Sequence, residues 1–104
     1  MDKQAEQLLS KIILKWGIQA QKWQAIEEVG EFLQALNKLN RVKLKDPLKE
    51  QGDPAFEKAR IHLCEEIADV QIMMQQMQVI FGIQEVEQIK STKLYEIRKR
   101  LELE

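Results

Sequence analysis

Cysteine, proline and glycine are scarce: one Cys, two Pro and four Gly stand in 104 residues. The lone Cys64 excludes an intramolecular disulfide and points to a reduced, cytoplasmic setting. So few breakers, with little Val or Thr and much Leu, Ile, Glu, Lys and Gln, exclude a sandwich or barrel and place the chain in the all-α class. No uninterrupted apolar run approaches the roughly 20 residues that a membrane span needs. The N-terminus pairs no basic stretch with a continuous apolar one, so neither a leader nor a membrane partner is expected. Neither sign of charge is in excess, with 16 Lys+Arg against 17 Asp+Glu and a formal net charge of -1. That balance lacks the basic surplus with which proteins grip a phosphate backbone, so no nucleic-acid polymer is expected as a partner.

What is present is helical periodicity. The length fits one domain spanning residues 1–104. Asp2 is a cap for a first helix, whose Leu8, Leu9, Ile12, Ile13 and Trp16 recur every three or four residues until Gly17 offers a left-handed stop. A second helix is expected from about Ile18 to about Arg41, with Ile26, Val29, Leu33 and Leu36 on its apolar stripe. The proline-containing stretch Val42 to Gln51 reads as the one long loop. Asp53 and Pro54 then give a start signal for a third helix, with the cap before and proline in its first turn. Leu63, Ile67, Val70, Met74, Met77 and Phe81 form its expected seam, and Gly82 closes it. A charged fourth helix runs from about Gln84 to the end on Val86, Ile89, Leu94, Ile97 and Leu101. A four-helix chain this short buries a limited share of its surface alone, so a homo-oligomer is expected to complete the bundle.

Two acidic clusters carry the chemistry. The second helix holds Glu27-Glu28-x-x-Glu31 and the third holds Glu65-Glu66-x-x-Asp69. Positions three or four apart share a helix face, so Glu28 with Glu31, and Glu66 with Asp69, each make a two-carboxylate claw. If the two helices are neighbours, the four carboxylates converge, and cations between them must relieve their repulsion. Hard oxygen donors, without Cys or several His, select Mg²⁺, with Mn²⁺ as a substitute. The competing reading is a solvated acidic face, and Glu27 to Glu31 does lie roughly opposite the Ile26, Val29, Leu33, Leu36 stripe. Against it, no Lys stands four residues after Glu27, Glu28 or Glu31, where a surface ion pair would place one. Glu66 also flanks the Leu63, Ile67, Val70 seam, where an unpaired charge is costly.

With both claws in view, the pattern Glu27-Glu28-x-x-Glu31 followed by Glu66-x-x-Asp69 resembles the signature of the MazG-like, all-α nucleoside triphosphate pyrophosphohydrolases. Trp16-Gly17 and Gln21, the run Glu66-Ile67-Ala68-Asp69-Val70, and Lys93-Leu94-x-x-Ile97-x-x-Arg100 are similar to short, phage- or mobile-element-type members. The likeness covers Trp16 to Leu101. It implies hydrolysis between the α- and β-phosphates, giving a monophosphate and pyrophosphate, to remove unwanted or surplus nucleotides. It further implies Glu28, Glu31, Glu66 and Asp69 as Mg²⁺ ligands, Glu27 as the group that orients or deprotonates water, and a phosphate contact for Lys93. Members of the family pair helices across a dimer, which meets the difficulty of core size.

The remaining residues are weighed more plainly. His62 falls one turn before Glu66, as a partner for that carboxylate or a contact for phosphate, and its isolation disfavours a di-iron site built on two Glu-x-x-His units. Gln21, two turns before Glu28, is placed to reach a base or ribose, with an exposed glutamine as the alternative. Trp16 and Trp23 read as core packing at helix ends, Met73, Met74 and Met77 as core filling, and Cys64 as a small core residue. The basic tail Lys90, Arg98, Lys99 and Arg100 reads as a solvated face. Two rival functions remain at this stage: a non-enzymatic coiled-coil interaction protein, and a phosphoribosyl-ATP pyrophosphatase-like hydrolase.

Overall fold

The expected punctuation sets the helix ends. In the computed structural model, which describes residues 1–42 and 53–103, the elements are α1 (Lys3–Trp16), α2 (Ile18–Arg41), α3 (Pro54–Phe81) and α4 (Ile83–Leu103). No strand occurs among the described residues. The loop expected at 42–51 lies, apart from Val42, outside them. Asp2 accepts a 2.9 Å hydrogen bond from the Gln4 amide and so caps α1. Asp53 accepts from the amides of Ala55 and Phe56 at 2.8 and 3.4 Å, with Pro54 in the first turn of α3. Single glycines make the two tight corners, Gly17 at φ +89° and Gly82 at φ +149°. Side chains rarely adopt either conformation.

The two long helices α2 and α3 form the main packing pair, and α1 leans on both. Their register is antiparallel: Glu31 approaches Glu66, and one turn further along α2, Ala35 shares a groove with Ala59 and His62. The α2 side of the seam is Gln21, Ala25, Glu28, Phe32, Ala35 and Leu39, all buried or half-buried and alternately four and three apart. On α3 the matching positions are Ala59, Leu63, Glu66, Val70, Met73, Met77 and Ile80, again buried or half-buried. This is coiled-coil spacing. Beside it, Gln76 is 3% exposed and falls level with Gln21, itself 7% exposed.

The apolar stripe expected to face the core does not do so. Ile26 is 63% exposed and Leu33 54%, while the acidic cluster of α2 lies on the α3 side. The stripe is real but turned outward, because α2 meets α3 through small and polar residues instead. On α3, Leu63, Val70 and Met77 of the expected seam do pack inward, whereas Ile67, Met74 and Phe81 make a second apolar row that is exposed. Trp16, Trp23 and Cys64 are also exposed, so none of them is a core residue within the chain. Of the methionines Met73 is buried, Met77 half-buried and Met74 exposed.

No residue of α4 is buried. This helix meets α3 beside the Gly82 corner, where Gln78 Nε2 donates to Glu87 Oε1 at 2.9 Å. The Cα radius of gyration is 17.8 Å, against about 13 Å for a compact chain of this length. None of the helices is long and apolar enough to cross a membrane, among the described residues.

Candidate metal centre

The α2–α3 seam is where the acids meet. One oxygen from each of Glu28, Glu31 and Glu66 lies within 4.8 Å of the other two. Two come from successive turns of α2 and the third from α3, so helix spacing and antiparallel register together build the triad. Small seam residues on either side, Ala25 and Ala35 on α2 and Ala59 on α3, let the helix backbones approach. Glu66 is only 8% exposed. Its Oε2 and the Oε2 of Glu28 are buried atoms with no hydrogen-bond partner among the described residues.

Such atoms carry a cost. A buried carboxylate oxygen lacking a donor has lost water without replacement. The surrounding groups relieve this little. His62 places Nε2 3.9 Å from Glu66 Oε1, too far for a hydrogen bond, and Nδ1 3.8 Å from Glu65 Oε2. Gln24 Nε2 donates to Glu28 Oε1 at 2.8 Å, an interaction that brings no charge. The triad registers its own repulsion at Glu31, whose carboxyl is pushed above its ordinary pKa. The negative charge of Glu28 is the main cause, followed by burial and by the charges of Glu66 and Glu27. Three hard oxygen donors with two unpartnered buried atoms fit a divalent cation of the Mg²⁺ or Ca²⁺ kind.

The other expected site residues stand further out. Asp69 is exposed, one turn along α3 from Glu66, and its carboxylate is not among the three that converge. Glu27 is exposed beside Glu28, close enough for its charge to act on Glu31. Gln21 sits within the seam, so its amide meets a ligand only if α2 opens from α3. Lys93 is exposed on α4, the helix that meets α3 beside the Gly82 corner, and it is not among the residues that converge.

A groove of about 760 Å³ adjoins the triad at the α3 N-terminal end. Ala35, Ala59 and Ile61 give it apolar walls, Lys38 and Lys58 give it cations, and His62 stands one turn from Glu66. Sequence periodicity did not single out Lys38, Lys58 or Gln24. Lys38 falls seven residues after Glu31 and Gln24 four before Glu28, so both share a face with the cluster once that face is known to point inward. No family model matches the chain, and no curated protein or solved structure gives a significant match.

Proposed function

We propose that this chain is a Mg²⁺-dependent nucleoside triphosphate pyrophosphohydrolase of the MazG-like kind, acting as a homo-oligomer. It would cut ribo- or deoxynucleoside triphosphates to the monophosphate and pyrophosphate and so clear surplus or unwanted nucleotides. The observation that carries the reading is the convergence of Glu28, Glu31 and Glu66 with two buried, unpartnered oxygens. An anionic triphosphate would be repelled by three carboxylates alone. When bound, Mg²⁺ supplies the charge that joins the two and offsets the negative charge developing during phosphoryl transfer; Mn²⁺ has the same donor preference.

In this reading Glu28, Glu31 and Glu66 hold the cation. Asp69 is the fourth ligand, reached when its exposed side chain turns toward the triad. Glu27 accepts a proton from the attacking water. Water adds to the α-phosphorus, and the bond from that phosphorus to the oxygen leading to the β-phosphate breaks. Pyrophosphate leaves with the bonding pair, and the water's protons pass to Glu27 and solvent. The groove beside the triad has the size of ligand pockets and room for sugar and base against Ala35, Ala59 and Ile61.

Homo-oligomerisation rests on the apolar surface left uncovered. Ile26 and Leu33 of α2, Phe81 of α3 and Ile89, Leu94, Ile97 and Leu101 of α4 are each about half exposed or more. Large apolar side chains left exposed in this number favour burial against another copy. A second copy would also bring a Lys93 that its own chain holds away from the triad. The setting proposed is cytoplasmic, where an exposed thiol such as Cys64 stays reduced.

The test is a panel of ribo- and deoxynucleoside triphosphates with Mg²⁺, assayed separately for pyrophosphate and orthophosphate. Pyrophosphate with a monophosphate is expected, lost in Glu28→Gln and Glu66→Gln and slowed in Glu27→Gln. Orthophosphate alone would move the cut to the γ-phosphate and refute the reading. Wild-type turnover by Asp69→Asn would remove Asp69 from the ligand set.

A further inference from the structure

We infer that Gln24 is the positioning residue of the metal centre, holding Glu28 so that one oxygen stays free for the cation. Gln24 lies one turn before Glu28 on α2, and its Nε2 donates to Glu28 Oε1 at 2.8 Å. The other oxygen, Oε2, is buried and has no hydrogen-bond partner among the described residues, and Glu28 shares the triad with Glu31 and Glu66. A carboxylate turns freely about its last torsion unless something holds it. The amide engages Oε1 and leaves Oε2 for the cation.

The choice of side chain matters. A lysine at position 24 would neutralise Glu28 and compete with the cation, and an acid would add to the repulsion already felt at Glu31. A neutral amide donor does neither. Partners of this kind, one step behind the ligands, typically govern affinity by 10- to 100-fold.

This role rests on the metal reading above, and the experiment separates the two. The probe is Mg²⁺ alone, titrated against the melting temperature of the full chain at fixed protein concentration. The proteins are wild type, Gln24→Ala, Glu66→Gln and, as a remote exposed control, Gln19→Ala. Gln24 is exposed and alanine is the best helix former, so the metal-free Gln24→Ala protein should melt close to wild type. The Mg²⁺ concentration giving half of the shift should rise about 10-fold or more in Gln24→Ala. It should stay unchanged in Gln19→Ala, and the response should vanish in Glu66→Gln. A wild-type midpoint in Gln24→Ala, with the response lost in Glu66→Gln, overturns the role of Gln24 and leaves the metal centre standing. No Mg²⁺ response in wild type overturns both.

Discussion

Glu66→Gln should stabilise the metal-free protein while removing its response to Mg²⁺. Glu66 is 8% exposed, and its oxygen lies within 4.8 Å of one from Glu28. Two unit charges at that separation repel by about 1 kcal/mol in water's dielectric and about 3.5 kcal/mol at the effective value of 20 suited to protein sites. Glutamine removes that repulsion, keeps the volume and turns an acceptor into a donor aimed at two carboxylates. The net gain should be about 1–3 kcal/mol, and with about 4–8 °C per kcal/mol for a chain of this size, a rise of roughly 5–20 °C. The assay is calorimetric melting in chelator and in excess Mg²⁺ at one protomer concentration, since association also shifts melting. In chelator the variant should melt above wild type; with Mg²⁺ wild type should rise and the variant stay put. Refutation is a variant that melts lower than wild type in chelator, or one that gains as much from Mg²⁺. Either result would mean that the Glu66 carboxylate is compensated inside the chain.

Three further outcomes follow from the same geometry. Glu31 has a folded pKa above its ordinary 4.5, so the folded state holds its proton to higher pH than the unfolded chain does. Metal-free stability is then fullest below about pH 4.5 as far as this group is concerned and falls as pH rises through the raised value; Glu31→Gln should flatten that part of a chelator melting profile. Met73 is 6% exposed in the seam, and Met73→Ala should cost about 2–3 kcal/mol in urea unfolding, with the denaturant dependence unchanged. Ile97→Glu places a charge on the uncovered face of α4, where the residue is 49% exposed, and should lower the mass measured by light scattering while leaving the helical signal intact. An unchanged mass would put the contact between copies elsewhere.

The helix boundaries were legible because their signals are local. Asp2, Gly17, Asp53-Pro54 and Gly82 each act within one turn, and the structure uses every one of them. Which side of α2 faces inward was not legible. Periodicity assigns the largest apolar residues to the core, but this rule holds for the finished assembly rather than for one chain. Ile26 and Leu33 are outside and Gln21, Ala25, Glu28 and Ala35 inside because α2 meets the α3 seam of Ala59, Leu63, Glu66, Val70 and Met73 through its own small and polar positions at matched heptad spacing. The missing Lys partners of Glu27, Glu28 and Glu31 were a signal that these acids are uncompensated along α2. It could be read for Glu28 and Glu31, which join Glu66, whereas Asp69 depends on a side-chain direction that spacing leaves open. Gln24 escaped notice for a similar reason, since a lone glutamine on a helix has no pattern until its neighbour has a role.

The inversion of α2 also couples the proposed metal binding to the proposed self-association. Among the described residues, three of the five buried apolar ones, Ala25, Ala35 and Ala59, are alanines, and they flank the acidic triad on the two helices. Alanine allows the close approach that brings Glu28 and Glu31 to Glu66, yet each contributes far less burial than a leucine would. The chain therefore holds a weak core at the place where it concentrates like charge. Many of its larger apolar side chains are displaced to the outer faces of α2, α3 and α4, where they are exposed. In the proposed assembly a cation would remove the repulsion and a second copy would cover the apolar rows. Each stabilises the same α2–α3 pair, so each should strengthen the other: Mg²⁺ should lower the protomer concentration needed for association, and by linkage association should lower the Mg²⁺ concentration needed for binding.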